Sequence, residues 1–333
     1  TVIINNDITK YLINNNSLKT LFISDFFLLY LIAFPAFFMA KENLNFDSLI
    51  EELYTIGIII VFLFEITFIL LVFVYKVSFD YMNIAYGVIP WMFFVYGYSM
   101  FNNNRKGMFV SLISTCFILI SGCRGATVTT LLFYFLLYVS TLKKNLTTNK
   151  IIVICLFSLF VILILVNFDK VVSYVYFNLK NIGFTSRTLE MYLGLGYEKG
   201  LNHYSDRAVL QEPLMKNFNL LGHGIYGDRV LLNGVYAHNV FIEWIYDFGV
   251  FGGGVICLCF IINIICKFKD LFIIDNKSSK ILLASCISVM ICKYMFSSSY
   301  LHAPEFWFLL GLLVNKNFYF SNSIKQNSYK ERV

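Results

Sequence analysis

The stretch VYAHNVFIEWIYDFGVFGGG, residues 235–254, indicates the fold class because it leads from a polar segment directly into an apolar helix. It closes the segment 184–254, which holds three of the four histidines and three of the six arginines. Most of the sequence outside this segment is apolar. A membrane protein that gathers its charge into one polar segment is expected to carry out its chemistry there.

The composition of the 333 residues is typical of a membrane protein. Hydrophobic residues make up 58% and charged residues 14%, whereas a soluble domain has about 25% charged residues. Continuous apolar runs of roughly 20 residues predict membrane-spanning helices, and a β-barrel would need alternating segments of about 10 residues instead. We predict an all-α polytopic integral membrane protein with nine visible spans, at about 21–40, 54–75, 81–101, 107–122, 125–142, 150–168, 238–266, 280–298 and 300–316.

The loop charges predict the topology. Lysine-rich loops mark the cytoplasmic side by the positive-inside rule, so the net charge of +6 is no sign of nucleic-acid binding. Residues 169–237 then form one large external loop, and the acidic linker 41–52 is assigned to the cytoplasm against its charge. No internal repeat appears, so residues 1–333 are expected to form one transmembrane domain. Because the first residue is Thr1, we expect an incomplete N-terminus.

Arginine is used sparingly, since lysine supplies 20 of the 26 basic residues. Arginine grips phosphate or carboxylate with a planar fork that lysine lacks. Four of the six arginines fall on the predicted outer side: Arg124, Arg187, Arg207 and Arg229. Arg124 lies in a tight apolar hairpin without a local acid, which favours a functional role. Arg207 and Arg229 each follow an aspartate, which favours a simple ion pair. For Arg187, a functional role and a simple ion pair both stay open.

The start of the span 238–266 carries the other candidates. Asn239 is a plausible helix N-cap, and the free N–H groups of a helix N-terminus favour anions. Asn239, Glu243 and Asp247 form one polar stripe that should face the protein interior or a wet cavity. His238 can accept a proton near neutral pH, as a general base must. Gly222 and Gly224 flank His223, for which a structural hydrogen bond is the favoured interpretation.

Several kinds of chemistry lack their motifs. The outer side has no Asp-x-Asp pair and the chain has no Gly-rich phosphate loop, so we expect neither a metal nor a nucleotide cofactor. Glu65 lies in the middle of a predicted span and would be costly there unless it is paired or hydrated.

The motifs in their order resemble one family. SGCRGA (121–126), TSR (185–187) followed by LGHG (221–224), AHN (237–239) leading into FIE (241–243), and FGVFG (248–252) are similar to motifs of the O-antigen polymerase (Wzy-type) and O-antigen ligase superfamily. Each motif is short, but their order on a span–large loop–span layout is fairly specific.

The resemblance implies a GT-C-like helical glycosyltransferase of the bacterial inner membrane, with its active site on the periplasmic face. The expected substrate is an oligosaccharide linked to undecaprenyl pyrophosphate, with membrane lipid and a chain-length regulator as further partners. Arg124 and Arg187 would hold the pyrophosphate, and His238 would activate the acceptor hydroxyl. We further expect substrate contacts from Asn239, Glu243, Arg207, Arg229, His223, Gly222 and Gly224.

Two alternatives stay open. The ligase, which transfers finished glycan to lipid A core, shares these motifs with the polymerase. The chain is rich in Asn, Ile, Phe and Lys, which indicates an AT-rich coding sequence and favours the polymerase of lipopolysaccharide biosynthesis. A lipid-linked-glycan transporter would be expected to show internal repeats or broken helices and no large outer loop. We regard the transporter as the weaker alternative because no repeat is visible.

Overall fold

The computed structural model describes residues 16–42, 45–75, 81–121, 123–141, 167–181, 206–294, 298–301 and 303–315, together with positions 159, 183 and 193. Across these residues the backbone is helical or irregular and contains no β-strand. The predicted all-α class is confirmed for this part of the chain.

Twelve α-helices are labelled here in chain order among the described residues. They are α1 (Asn16–Leu28), α2 (Phe34–Lys41), α3 (Phe46–Ile69), α4 (Tyr81–Phe101), α5 (Arg105–Ser121), α6 (Arg124–Ser140), α7 (Phe168–Asn181), α8 (Asp206–Lys216), α9 (Gly227–Leu231), α10 (Val240–Ile273), α11 (Lys277–Val289) and α12 (Pro304–Val314). A π-helical turn, Leu29–Ala33, joins α1 to α2, and two more, Leu70–Tyr75 and Met290–Tyr294, extend α3 and α11.

Four helices of the described part are long and apolar enough to cross a membrane: Lys19–Lys41, Phe46–Val72, Ile84–Phe101 and Val240–Ile273. They coincide with four of the predicted spans, which confirms an α-helical membrane protein. Two shorter apolar helices, Gly125–Ser140 and Pro304–Val314, lie within two further predicted spans. The predicted span 150–168 falls almost wholly outside the described residues. The number of nine spans and the GT-C-like arrangement stay predictions.

The chain packs into two compact units, each assembled from separate segments. One unit combines residues 1–45, 202–273 and 289–333, and we call it the site unit; the other combines residues 46–201 and 274–288, and we call it the hairpin unit. The prediction of a single domain stays a prediction, as does the external side of the loop 169–237. Within that predicted loop the described residues form the helices α7, α8 and α9.

The hairpin unit is built on helices α3, α4, α5 and α6 packed against one another. Small residues permit this close packing, as is common in membrane bundles. A Cβ on Gly57 would lie 3.2 Å from the carbonyl oxygen of Trp91, so the backbones of α3 and α4 nearly touch there. The predicted tight connection is confirmed, since α5 ends at Ser121 and α6 begins at Arg124. Gly125 lies directly against the hydroxyl of Tyr86.

The site unit places α12 along α2 and packs α8, α9 and α12 against α10. Gly311 of α12 contacts the backbone of Phe37, and Asn315 donates its side-chain amide to the carbonyl oxygens of Ala40 (3.0 Å) and Glu42 (3.2 Å). These bonds satisfy carbonyls at the C-terminal end of α2 that its own helix leaves without donors.

Helix α10 is not one continuous span. Its 34 residues would be about 51 Å long at 1.5 Å per residue, well beyond the roughly 30 Å of a bilayer core. Gly249 interrupts it with φ 81° and ψ 165°, a backbone conformation essentially restricted to glycine. Residues 250–273, about 36 Å long, suffice to cross the membrane by themselves, and residues 240–248 form a separate short helix. The predicted span 238–266 therefore overlaps this long helix, and Gly249 divides the helix within that range.

Candidate functional site

Most of the predicted site residues lie in one short segment of the site unit. Gly222, His223, Gly224, Arg229, His238, Asn239 and Glu243 all belong to the described residues there. Arg124 is the first residue of α6 in the hairpin unit, and Arg207 is the second residue of α8. The structure describes the backbone of these two arginines and not their side chains. Arg187 lies outside the described residues, so its predicted role is untested.

The segment 219–224, which contains Gly222 and Gly224, forms backbone hydrogen bonds on both sides of the break in α10. The backbone N–H groups of His223 and Gly224 donate to the carbonyl oxygens of Tyr246 and Asp247, both at 2.9 Å. On the other side of the break, the N–H of Val250 donates to the carbonyl oxygen of Asn219 at 2.8 Å. The interrupted helix thus recovers its missing hydrogen bonds from a neighbouring segment, as buried backbone requires.

Gly222 and Gly249 make this docking possible. Both have a positive φ, of 82° and 81°, and each lies against the backbone of the other. Gly224, with φ 89°, is buried as well. The backbone of this segment is therefore packed tightly against the break in α10.

His223 is held by this docked segment. Its Nε2 lies 2.8 Å from the carbonyl oxygen of Asn217, and its ring stacks on Tyr246 with centroids 4.2 Å apart. These contacts match the structural interpretation favoured for His223 from the sequence. A direct contact with substrate would be an additional role, and it stays a prediction.

Arg229 lies at the centre of a buried ionic network. It is 1% exposed, and its Nη1 donates to Asp228 Oδ1 at 2.9 Å and to Glu243 Oε1 at 2.8 Å. Its Nη2 donates to the hydroxyl of Ser299 at 2.7 Å, and its Nε lies 3.4 Å from Asp25 Oδ2. The rings of Tyr226 and Tyr236 lie 4.8 Å and 5.7 Å from the guanidinium carbon, within cation–π range.

The network explains why Arg229 stays charged although it is buried. Burial by itself would lower the pKa of Arg229, but the charges of Asp228 and Glu243 raise that pKa well above its ordinary value. Burial also raises the pKa of the nearby Tyr226, and the negative charge of Asp25 adds to this shift. Several carboxylates contact the guanidinium. This agrees with the interpretation favoured from the sequence, in which Arg229 pairs with a neighbouring acid. A contact with substrate would require Arg229 or Glu243 to leave these partners.

Glu243 and Asp247 face the protein interior, as the polar stripe of α10 predicted. Glu243 accepts a hydrogen bond from the hydroxyl of Ser299 at 2.5 Å, and Asp247 Oδ2 accepts one from the hydroxyl of Tyr300 at 2.9 Å. The other oxygen of Asp247, Oδ1, is buried and has no hydrogen-bond partner among the described residues. Asp228, Glu243 and Asp247 bring three carboxylates together, with one oxygen from each within 4.8 Å of the others.

His238 lies next to this network but outside the ionic core. It is partly exposed, adopts a left-handed backbone conformation with φ 55°, and packs its ring 4.0 Å from that of Tyr236. Asp228 Oδ2 accepts a hydrogen bond from the N–H of the preceding Ala237 at 3.0 Å. The buried network therefore anchors the backbone that presents His238.

Asn239 is the N-cap of α10, as predicted. Its Oδ1 accepts hydrogen bonds from the N–H groups of Phe241 (2.9 Å) and Ile242 (3.2 Å). Because the cap occupies these two donors, they are not available to a bound anion in this arrangement. Charge on a phosphate group would have to be met by arginines instead.

Sequence reasoning identified the acids of α9 and α10 but missed three partners from distant segments: Asp25, Ser299 and Tyr300. Asp25 offered a signal, because a carboxylate inside an apolar span is costly and usually has a partner. Ser299 and Tyr300 offered none, since they lie far from Glu243 and Asp247 in the chain and belong to no motif.

Comparisons of the chain with protein-family models, with curated proteins and with solved structures found no match. The fold and the site together define the class of protein: an α-helical membrane protein with a buried ionic network beneath a partly exposed histidine.

Proposed function

We propose that the chain is a surface-polysaccharide polymerase of the O-antigen type, a glycosyltransferase in the bacterial inner membrane that acts on the periplasmic side. The observation that carries this proposal is the position of His238: a partly exposed imidazole on a backbone fixed by Asp228 and by the Asn239 cap. The order of the motifs around it, which resembles the O-antigen polymerase and ligase superfamily, supplies the substrate class.

The proposed reaction needs few groups. His238 takes the proton of the acceptor sugar hydroxyl, the resulting oxygen attacks the anomeric carbon of the donor, and a new glycosidic bond forms. The bond from that carbon to the pyrophosphate breaks, and undecaprenyl pyrophosphate leaves with the electron pair. Arg124 and Arg187 would neutralise the charge that develops on the leaving group. The transfer inverts the anomeric configuration and uses no metal in the chemical step.

Purified protein tests the chemistry. In lipid nanodiscs with an undecaprenyl-pyrophosphate-linked repeat unit, wild-type protein should produce a ladder of longer glycans. His238→Ala should slow this about 10²- to 10⁴-fold, the usual contribution of a general base. Arg124→Ala and Arg187→Ala should also abolish the ladder, while Arg105→Ala, at an exposed position of the hairpin unit, should retain it. Full activity of His238→Ala would remove the proposed general base.

Deletion of the gene separates polymerase from ligase. A polymerase deletion leaves lipid A core that carries a single repeat unit. A ligase deletion leaves core without any repeat while polymer accumulates on the lipid carrier. Complementation with wild-type and His238→Ala genes then links the phenotype to the site.

A transporter is the second candidate, and one observation favours it. Ion-coupled transporters use interrupted helices with buried acids at the interruption, and α10 is interrupted at Gly249 beside Asp247 and Glu243. A transporter deletion would leave lipid-linked repeat units on the cytoplasmic leaflet and no repeat on the core. That result, together with no ladder from purified protein, would overturn the polymerase.

A further inference from the structure

Among the described residues of the site unit, the carboxyl groups outnumber the one guanidinium beside which they lie. Asp25, Asp228 and Glu243 each lie within 3.4 Å of Arg229, and Asp247 joins them through the shared cluster. The side chain of Asp25 is 19% exposed, so the fully buried carboxyl groups are the three of Asp228, Glu243 and Asp247. A buried carboxylate is costly unless it is protonated, paired or bound to a metal, and a cation is one partner that this excess can accept.

Asp247 identifies where that partner would bind. Asp247 is 1% exposed, its Oδ2 accepts a hydrogen bond from Tyr300, and in the described part of the chain its Oδ1 has no hydrogen-bond partner. A Cβ built on Gly227, the residue before Asp228, would lie 3.5 Å from this same Oδ1. Asp247 Oδ1 therefore faces the start of α9, next to Asp228. A buried carboxylate oxygen without a donor is the position at which a bound cation or water is expected.

The oxygens of the cluster retain lone pairs that could bind a cation. Arg229 binds Asp228 Oδ1 and Glu243 Oε1, and Asp228 Oδ2 has one donor within the described residues, the N–H of Ala237. Glu243 Oε2 receives only a long bond, 3.4 Å, from the N–H of Tyr300 among the described residues. Each carboxylate oxygen has two lone pairs, so an oxygen that accepts one hydrogen bond can still bind a metal.

The spacing favours a large ion. Two ligands of one ion lie no farther apart than twice the metal–oxygen distance, which is about 4.2 Å for Mg²⁺ and about 4.8 Å for Ca²⁺. One oxygen from each of Asp228, Glu243 and Asp247 lies within 4.8 Å of the others, a separation that a single Ca²⁺ can bridge. Carboxylates and hydroxyls are hard ligands, which excludes a preference for soft metals. Ca²⁺ also accepts irregular coordination, whereas Mg²⁺ demands a near-ideal octahedron.

We propose that Asp228, Glu243 and Asp247 form a structural site for a calcium-sized divalent cation, with Arg229 holding two of the three ligands in place. The ion ties α9 to the short helix 240–248 directly beneath the segment that carries His238. This differs from the sequence-based expectation of a chain without metal. The ion takes no part in the proposed glycosyl transfer, and the binding test does not depend on that transfer.

Calcium binding to the full chain tests the proposal. Protein purified in a nonionic detergent and stripped with EGTA is titrated with Ca²⁺ and, separately, with Mg²⁺, by calorimetry and by thermal unfolding. Wild type should bind one Ca²⁺ with a Kd below about 1 mM, the weak end of protein calcium sites, and should unfold at a higher temperature with it. Asp247→Asn should weaken calcium binding at least tenfold. The control Asp275→Asn, which removes an exposed carboxylate, should bind as wild type does.

A second measurement needs only wild-type protein and covers the case in which Asp247→Asn fails to fold. Hydrogen exchange with and without Ca²⁺ should show protection in the peptides that contain residues 223–247. Absence of saturable calcium binding, equal binding by Asp247→Asn, or protection confined to other peptides would overturn the site. A tighter response to Mg²⁺ than to Ca²⁺ would overturn the assignment of ion size.

Discussion

The two compact units bury their polar groups in opposite ways. In the site unit, charges from α1, α9 and α10 converge on Arg229, and their partners come from distant parts of the chain. In the hairpin unit, most buried hydroxyls bond within their own helix, as Ser111 does to Gly107 and Thr130 to Ala126. Its buried acid, Glu65, accepts a hydrogen bond from Ser114 at 2.8 Å and has no described ion pair.

The difference determines how much stability is lost when each arrangement is disturbed. A hydroxyl bonded to its own helix contributes little and can be replaced locally. A buried ionic network depends on all of its members, because removing one leaves another charge without compensation. We therefore expect substitutions in the site unit to have large effects on stability and comparable ones in the hairpin unit to have small effects.

The largest effect should follow from Arg229→Ala. It leaves Asp228 and Glu243 buried without their guanidinium partner, and breaking one buried pair costs about 3–5 kcal/mol. Little folded protein should be recovered in detergent, and its thermal unfolding should shift strongly downward. Arg105→Ala, at an exposed position of the hairpin unit, is the matched control. Equal unfolding temperatures for the two variants would contradict the central role of Arg229.

A smaller but clear loss should follow from Gly249→Ala. A Cβ at this position would overlap the carbonyl group of Leu220, and alanine is strained at φ 81°, ψ 165°. The backbone strain alone costs about 1–3 kcal/mol. Gly254→Ala, in the same helix, has no heavy atom within 4 Å of its Cβ and should not destabilise the protein. If both variants unfold at the wild-type temperature, the interruption of α10 is absent in the membrane-bound protein.

The smallest effect should follow from Glu65→Gln. The amide oxygen of glutamine can still accept the hydrogen bond from Ser114, and no ion pair is lost among the described residues. The free energy of unfolding should change by less than about 1 kcal/mol, since a neutral hydrogen bond contributes about that much. Thermal unfolding in detergent measures it, with Ser114→Ala as the companion variant. A loss as large as that of Arg229→Ala would mean that Glu65 carries a charge paired elsewhere.

The local features of the fold could be predicted from the sequence. Continuous apolar runs located the spanning helices, and Asn239 followed by a hydrophobic run identified the N-cap of α10. The tight connection after Ser121 was also recognisable, because a short span precedes two closely spaced glycines. Each of these features depends on residues within a turn or two of one another.

The long-range features could not be predicted. Hydropathy treats residues 238–266 as one apolar run, and nothing in the letters FGVFG distinguishes close packing from an interruption at Gly249. The break requires segment 219–224 to supply its hydrogen bonds, which is a tertiary contact. The same holds for Ser299, whose hydroxyl links Arg229 and Glu243 from the far end of the chain. The pairing of Arg229 with Asp228 could be predicted because the two are adjacent in the sequence. Its contacts with Asp25, Glu243 and Ser299 could not.

The break at Gly249 also has an electrostatic consequence. A helix carries partial negative charge at its C-terminal end, and the short helix 240–248 ends next to Asp247. Residues 250–273 begin a second helix at the same break, so the partial positive charge of its N-terminal end lies beside the negative end of the first. By dividing one long dipole into two, one glycine places both kinds of helix end at a single buried position of the site unit, beside Asp247.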